Sequence, residues 1–376
     1  MLLGERKVYL GETLLIDTES TSVPPQETDV PVYAHIDDQS YRQIFFDDFN
    51  GGDVDRNHWS TDYNAAKYQP IYTSGSDVFC ENSICHIRTT EDMAVLGGTS
   101  WAAGVSGIQS AQFSTPSTPN RFRPFFGFIS QEGYYELKAK IYSGGGTHVA
   151  WWMTGVDDTG ATNPEIDIFE ILGSDTTKWP MNFYADTNSV DSAEAQDSIG
   201  IGFDLSNDYH VYGFLWENGI MKFYLDGDLI NTWSDINTPH QPLMTWLTAY
   251  RCLEGSYWAG THVDGLGDLE LLVDYLKVYK KCESESNVQP TITGQEEITV
   301  SLAKGEYTVD PYSGRIAGLP VYTYINWSDG SRTEHWVRWK KLNDTIKDVL
   351  DNGGFCEWDG IVSELGIKVI ATINVD

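Results

Sequence analysis

Apolar and polar positions alternate with a period of two along most of this chain, and few stretches repeat with the 3.6 period of a helix. Gly133–Tyr142 sets polar Glu136, Lys138 and Lys140 against apolar Leu137, Ala139 and Ile141, the pattern of a half-exposed strand. His148–Met153 reads as a compact aromatic strand, and Tyr209–Trp216 and Met221–Leu225 as two more. Asp226-Gly227, between Leu225 and Leu229-Ile230, predicts a two-residue hairpin turn. Leu269–Tyr279 reads as a long closing strand. Many antiparallel strands at this spacing predict an all-β sandwich. Lys341–Asp351 is the clearest helix, with Leu342, Ile346 and Leu350 on one face and Gly353-Gly354 as its stop.

Breaks in the pattern divide the chain. Residues 1–40 read as an N-terminal arm, with a hairpin over Lys7–Ile16 and a Ser/Thr/Pro-rich linker over Thr18–Asp29. A sandwich follows over 41–282, then a polar linker over 283–297 and a small α+β module over 298–376. In that module Trp327, Trp336, Trp339 and Trp358 could form a sugar platform, but a small core is the better reading.

A net charge of −31 argues against nucleic acid or an anionic membrane surface as partner. Five cysteines (Cys80, Cys85, Cys252, Cys282, Cys356) show no metal-ligand spacing, and Cys80–Cys85 is open to reading as a bridge or as two structural thiols. No stretch approaches the ~20 apolar residues of a membrane span. Met1–Glu5 does not begin like a signal peptide, so the compartment is not legible.

The chemistry concentrates in Glu165-Ile-Asp-Ile-Phe-Glu170. Alternation puts Glu165 and Asp167 on one face of a strand, while Glu170, at an odd offset, would turn away. A β-bulge near Ile168-Phe169 would bring it back. Three acids on one face of an apolar strand read as the floor of a cleft, because burial without partners would be too costly. Two such carboxyl groups can cleave a glycosidic bond, one as nucleophile and one as acid/base held protonated by burial and like charge. Spacing alone does not say which is which.

This stretch resembles the active-site signature of glycoside hydrolase family 16 in its longer, bulge-containing form, typical of laminarinases and agarases. Phe46–Gly51, Gly133–Lys140, Ala150–Met153, Tyr209–Trp216 with Phe223–Gly227, and Val273–Tyr279 resemble the family's flanking strands in the expected order. The resemblance covers about 43–282. It implies a concanavalin A-like β-jelly roll and a retaining endo-glycanase acting on a β-linked polysaccharide, a β-glucan or a marine-type galactan. By the same resemblance Glu165 is the nucleophile, Asp167 the assisting carboxylate and Glu170 the acid/base, with no cofactor for catalysis. Trp152 matches a ring that stacks on sugar beside the cleavage point, and Asp274 with the carbonyls near Asp48–Gly51 matches a region that binds structural calcium in many members, which makes Asp48 and Asp274 the candidate metal residues.

The departures bear on the substrate. Tyr184 stands where many members have a histidine, and Thr245–Cys252 lacks the usual laminarinase run. Tyr250-Arg251 is a candidate contact to a galactan. Trp246, Tyr250 and Trp258 are candidate subsite rings, with loop packing as the competing reading. Two other classes remain in view. One is a non-catalytic lectin on the same sandwich, which would usually have lost one of the acids. The other is a virion or surface adhesin carrying the domain, with a C-terminal module that binds glycan or another protein; function would then place the chain outside the cell or on a surface.

Overall fold

The computed structural model describes residues 32–61, 77–91, 103–112, 125–155, 164–187, 193–239, 242–252, 256–257, 259–282, 285 and 291–376, the last with short gaps at 310–315, 317, 321, 329, 331, 341, 363–364 and 366. The hairpin expected over Lys7–Ile16, and Trp258, lie outside the described residues.

The alternating segments form two antiparallel sheets packed face to face, the sandwich that the period-two pattern predicts and the jelly roll that the family resemblance implies. In the first, nine-stranded sheet, the main path is Tyr33–Ile36, Gln39–Asp47, Leu269–Cys282, Gly133–Lys140, His210–Glu217, Ile220–Leu225 and Asp228–Ser234. The second runs Ala195–Gly200, Lys178–Tyr184, Glu165–Leu172, Thr147–Gly155, Leu243–Cys252 and Ala103–Gln109, with Ile129–Ser130 at its margin. Asp226 and Gly227 both take positive φ (52° and 91°), the geometry that a tight hairpin turn needs.

One residue in two from each sheet points into a single core. The second sheet contributes Val149, Trp151, Met153, Ile166, Phe169, Ile171 and Leu247, and the first contributes Leu137, Phe214, Phe223, Leu276 and Val278. Period-two alternation then forces the residues between them onto the far faces. On the far face of the second sheet, Val105, Ala150, Met244, Trp246 and Tyr250 form a separate apolar cluster with Trp152 against it. This second face carries the chemistry. The Cys80 and Cys85 thiols face each other across a hairpin whose turn residues, Asn82 and Ser83, have positive φ.

The ends of the sandwich differ from the expected boundaries. Tyr33–Ile36 pairs with the first strand of the domain, so sheet structure begins inside the stretch read as arm. Its turn residue Asp37 pairs with Lys222. Ile292–Gln295, inside the stretch read as linker, pairs with Tyr322–Trp327.

The C-terminal unit packs a helix, Asp344–Asn352, on a four-stranded sheet that includes one parallel pair, Ile298–Leu302 with Ile367–Val375. Asn343 caps the helix by accepting from the Ile346 amide at 2.9 Å. Ile346 and Leu350 turn inward with Trp339 and Trp358, which join the core of this unit. Trp327, packed against the same cluster, also reaches the sandwich, 3.9 Å from the guanidinium of the buried Arg42. Among the described residues no helix is long and apolar enough to cross a membrane.

Candidate active site

The acidic strand spans Glu165–Leu172. Its pairing with Thr147–Gly155 matches Trp152 with Asp167 but Trp151 with Phe169, so Ile168 is an extra residue. That bulge restores the phase. Thr154, Trp152 and Ala150 stand opposite Glu165, Asp167 and Glu170, and the three acids share the face away from the core. Ile166, Ile168, Phe169 and Ile171 are buried on the other side and anchor the strand. A bulge leaves backbone groups without ladder partners. Here the indole N–H of the buried Trp179 donates to the Ile168 carbonyl at 2.8 Å.

The neighbouring strand supplies the residue that sequence reasoning passed over. Asn182 is paired with Asp167, and Tyr184 with Glu165. The Asn182 Nδ2 donates to Asp167 Oδ2 at 3.1 Å and to Glu170 Oε2 at 3.0 Å. One amide nitrogen therefore holds two of the three carboxylates. One strand further out, Gln196 Nε2 donates to Asn182 Oδ1 at 2.7 Å. Asn182 was legible in principle, since it lies two positions before Tyr184 and alternation puts both on one face.

Burial sets the electrostatics. Glu165 is held well above the usual carboxylate range, chiefly by burial and then by the charge of Asp167. Asp167 is also held well above it, by burial and the charge of Glu170, against the pull of the Asn182 hydrogen bond. Glu170 is raised to about 7 by burial and the charge of Glu165, again opposed by Asn182. Three carboxyls this close on a poorly solvated floor do not all ionise together at neutral pH, so the trio retains protons and titrates as one unit. Tyr184 belongs to the same field: burial and the charges of Asp167, Glu170 and Glu165 push its hydroxyl up to about 12.

The aromatic candidates separate into two layers and one outlier. Trp152 is half-buried on the acidic face and stacks on Trp246, with centroids 4.9 Å apart and planes 16° apart. Its indole N–H donates to Thr248 at 3.0 Å, and that of Trp246 donates to Thr154 at 2.8 Å. Trp246 is only 3% exposed and thus backs Trp152 instead of offering a free face. Tyr250 is buried and stacks on His148 at 4.0 Å, and burial lowers that imidazole to about 3. Arg251 lies apart from the acids. Adjacent to Tyr250 on a strand, it must point to the other side, where it is fully buried and donates to the Gly267 carbonyl at 2.6 Å. Its partner there is Glu91, at 3.5 Å.

The calcium expectation meets a poor donor set. The Asp274 carboxylate is taken by the Lys138 ammonium at 2.6 Å, and Asp48 accepts from the Asn50 side chain at 3.1 Å. Among the described residues no three acid, histidine or cysteine groups converge as a cage. These side chains do not fit a calcium site.

Residues 107–276 match the family described as Glycosyl hydrolases family 16. The chain is similar to a β-glucanase of Acetivibrio thermocellus, 34% identical over 176 residues that cover 46% of this chain and 48% of that protein. It thus spans about half the length of the curated relatives it matches. The fold is shared with an endo-β-1,3-glucanase from Pyrococcus furiosus, with a TM-score of 0.55 at 19% identity, over 68% of this chain and all of that one. It is shared too with a GlcNAcα1-4Gal-releasing endo-β-galactosidase from Clostridium perfringens, with a TM-score of 0.54 at 21% identity, over 93% of this chain and 96% of that one. Residues 107–276, within the sandwich domain, belong to glycosyl hydrolases family 16.

Proposed function

We propose that the protein is a retaining endo-β-glycanase that works by double displacement on the acidic strand. The single observation that carries this reading is the bulge at Ile168, which sets Glu165, Asp167 and Glu170 on one face with Asn182 bonded to two of them. Glu170, raised to about 7, is suited to hold a proton in weakly acidic solution and pass it to the departing glycosidic oxygen. Glu165, at the other end of the trio, attacks the anomeric carbon once ionised. Asp167, which burial holds toward its protonated form, can donate to that nucleophile and steady it. Glu170, now ionised, then takes a proton from water as that water opens the glycosyl-enzyme bond.

The substrate class to test first is a β-glucan, because the curated relatives at 30–34% identity are named β-glucanases. Trp152 offers a flat apolar ring beside the acids for one sugar face, and Tyr184 a hydroxyl on the opposite flank. The test is hydrolysis of laminarin, mixed-linkage glucan, agarose, porphyran and carrageenans by the wild type and by the Glu165→Ser and Glu170→Gln variants. We expect oligosaccharide release from a β-glucan and loss of at least about 10³-fold in each variant with the fold intact. Wild-type activity in either variant would overturn the reading.

A further inference from the structure

Asn182 can hold Asp167 and Glu170 with its nitrogen only if its side-chain amide is turned one way. Rotated by half a turn, the same amide would aim its oxygen at two carboxylates, and the group that prevents this lies one strand further out. Gln196 sits opposite Asn182 on Ala195–Gly200, and its Nε2 donates to Asn182 Oδ1 at 2.7 Å. With Gln196 donating to the Asn182 oxygen and the Asn182 nitrogen donating to the acids, the two amides form a relay in which the outer bond favours the orientation that the acids need. Asn182 is buried and cannot trade these partners freely for water, whereas Gln196 is exposed and reaches inward from the outermost strand.

We propose that Gln196 is a positioning residue: by donating to Asn182 it locks that amide so that its N–H groups face Asp167 and Glu170, and thereby sets the proton affinity of the acid/base. It touches neither acid and acts through Asn182. The inference rests on the glycosidase reading for its kinetic consequence only.

Among the described residues, the groups that face Glu170 are few. On its own strand they are Glu165 and Asp167. Asn182 and Tyr184 face it from the next strand, and Ala150 and Trp152 from the strand on the other side, where His148 is held neutral by burial. Gln196 completes the set, since Asp197 turns away to Asn231 and Trp233. Among the described residues no cation approaches this group, so the Asn182 donor is what opposes burial and like charge at Glu170.

Two variants at Gln196 separate orientation from mere contact. In Gln196→Ala the Asn182 oxygen bonds water, and the lock is loosened. In Gln196→Glu the new carboxylate can only accept, so it draws the Asn182 nitrogen outward and turns the oxygen toward the acids. The readout is the titration of the Glu170 side chain, followed by NMR with ¹³C-labelled glutamate. It needs no substrate. We expect an upward displacement of about one pH unit in Gln196→Glu and a smaller one in Gln196→Ala, with unfolding temperatures unchanged. In hydrolysis, the alkaline limb of kcat/KM moves up by the same amount and kcat falls about tenfold.

A new negative charge alone would also raise Glu170, so the decisive comparison is a double-mutant cycle. With Asn182→Ala, or Asn182→Leu if the alanine variant does not fold, Gln196→Glu should displace the titration much less than it does beside Asn182. A displacement of equal size in both backgrounds, or none beside Asn182, overturns the proposal. A wild type that hydrolyses no glycan would sink the functional reading and leave this NMR test in force.

Discussion

At the scale of the residue, Glu170 couples chemistry to stability. Its carboxyl is raised from the ordinary 4.5 to about 7, chiefly by burial and the charge of Glu165. An acid with a raised folded pKa binds its proton more tightly in the native state, so it costs the fold nothing below about 4.5 and progressively more as pH rises to about 7. Replacing it with a neutral isostere removes that cost. Glu170→Gln should therefore unfold like the wild type at pH 4 and be more stable by about 1–3 kcal/mol at pH 8. Urea unfolding at the two pH values checks this, and equal stability at both would contradict the assignment. The trio itself was legible, because three acids among Ile166, Ile168 and Phe169 have no cheap structural use. Arg251 shows how such reading overreaches. Its charge beside Tyr250 suggested a ligand contact, yet neighbours on a strand face opposite ways, and it braces the Gly267 loop instead.

At the scale of the element, the acidic strand works because it is irregular. The odd offset of Glu170 demanded a bulge, and the structure puts the extra residue at Ile168. What holds the bulge was not legible. Trp179 lies eleven positions downstream, and nothing local marks its indole as the donor to the Ile168 carbonyl. Trp179→Phe keeps the buried ring but removes that N–H, leaving a buried carbonyl without its donor. The expected cost is about 1–3 kcal/mol in chemical denaturation, with a larger fractional loss in kcat than in KM as Glu170 loses its fixed position. Unchanged kcat would mean that the bulge holds itself. Asn182 was readable by alternation from Tyr184, whereas its contact with Gln196 joins two separate strands and appears only once the sheet is assembled.

At the scale of the whole molecule, two packed units share one chain. The sandwich followed from periodicity and ordered motifs. Its contact with the C-terminal unit includes a distant pair, Arg42 and Trp327, that no sequence window contains. Arg42 lies on the first sheet, and the acids lie on the outer face of the second, with the core between them. Removing residues 291–376 should thus uncover Arg42 and lower the unfolding temperature, while kcat/KM on a soluble oligosaccharide stays within about twofold. A larger loss of activity in a folded truncation would bring the C-terminal unit into the site.

In the mechanism we propose, Glu165 and Glu170 act in sequence through a covalent glycosyl-enzyme, so that two inversions restore the starting configuration. Time-resolved proton NMR of the first product released from a β-glucan tests it most directly. Signal from the β anomer should appear first and the α anomer only later, by mutarotation. An α anomer as the initial product would contradict the mechanism.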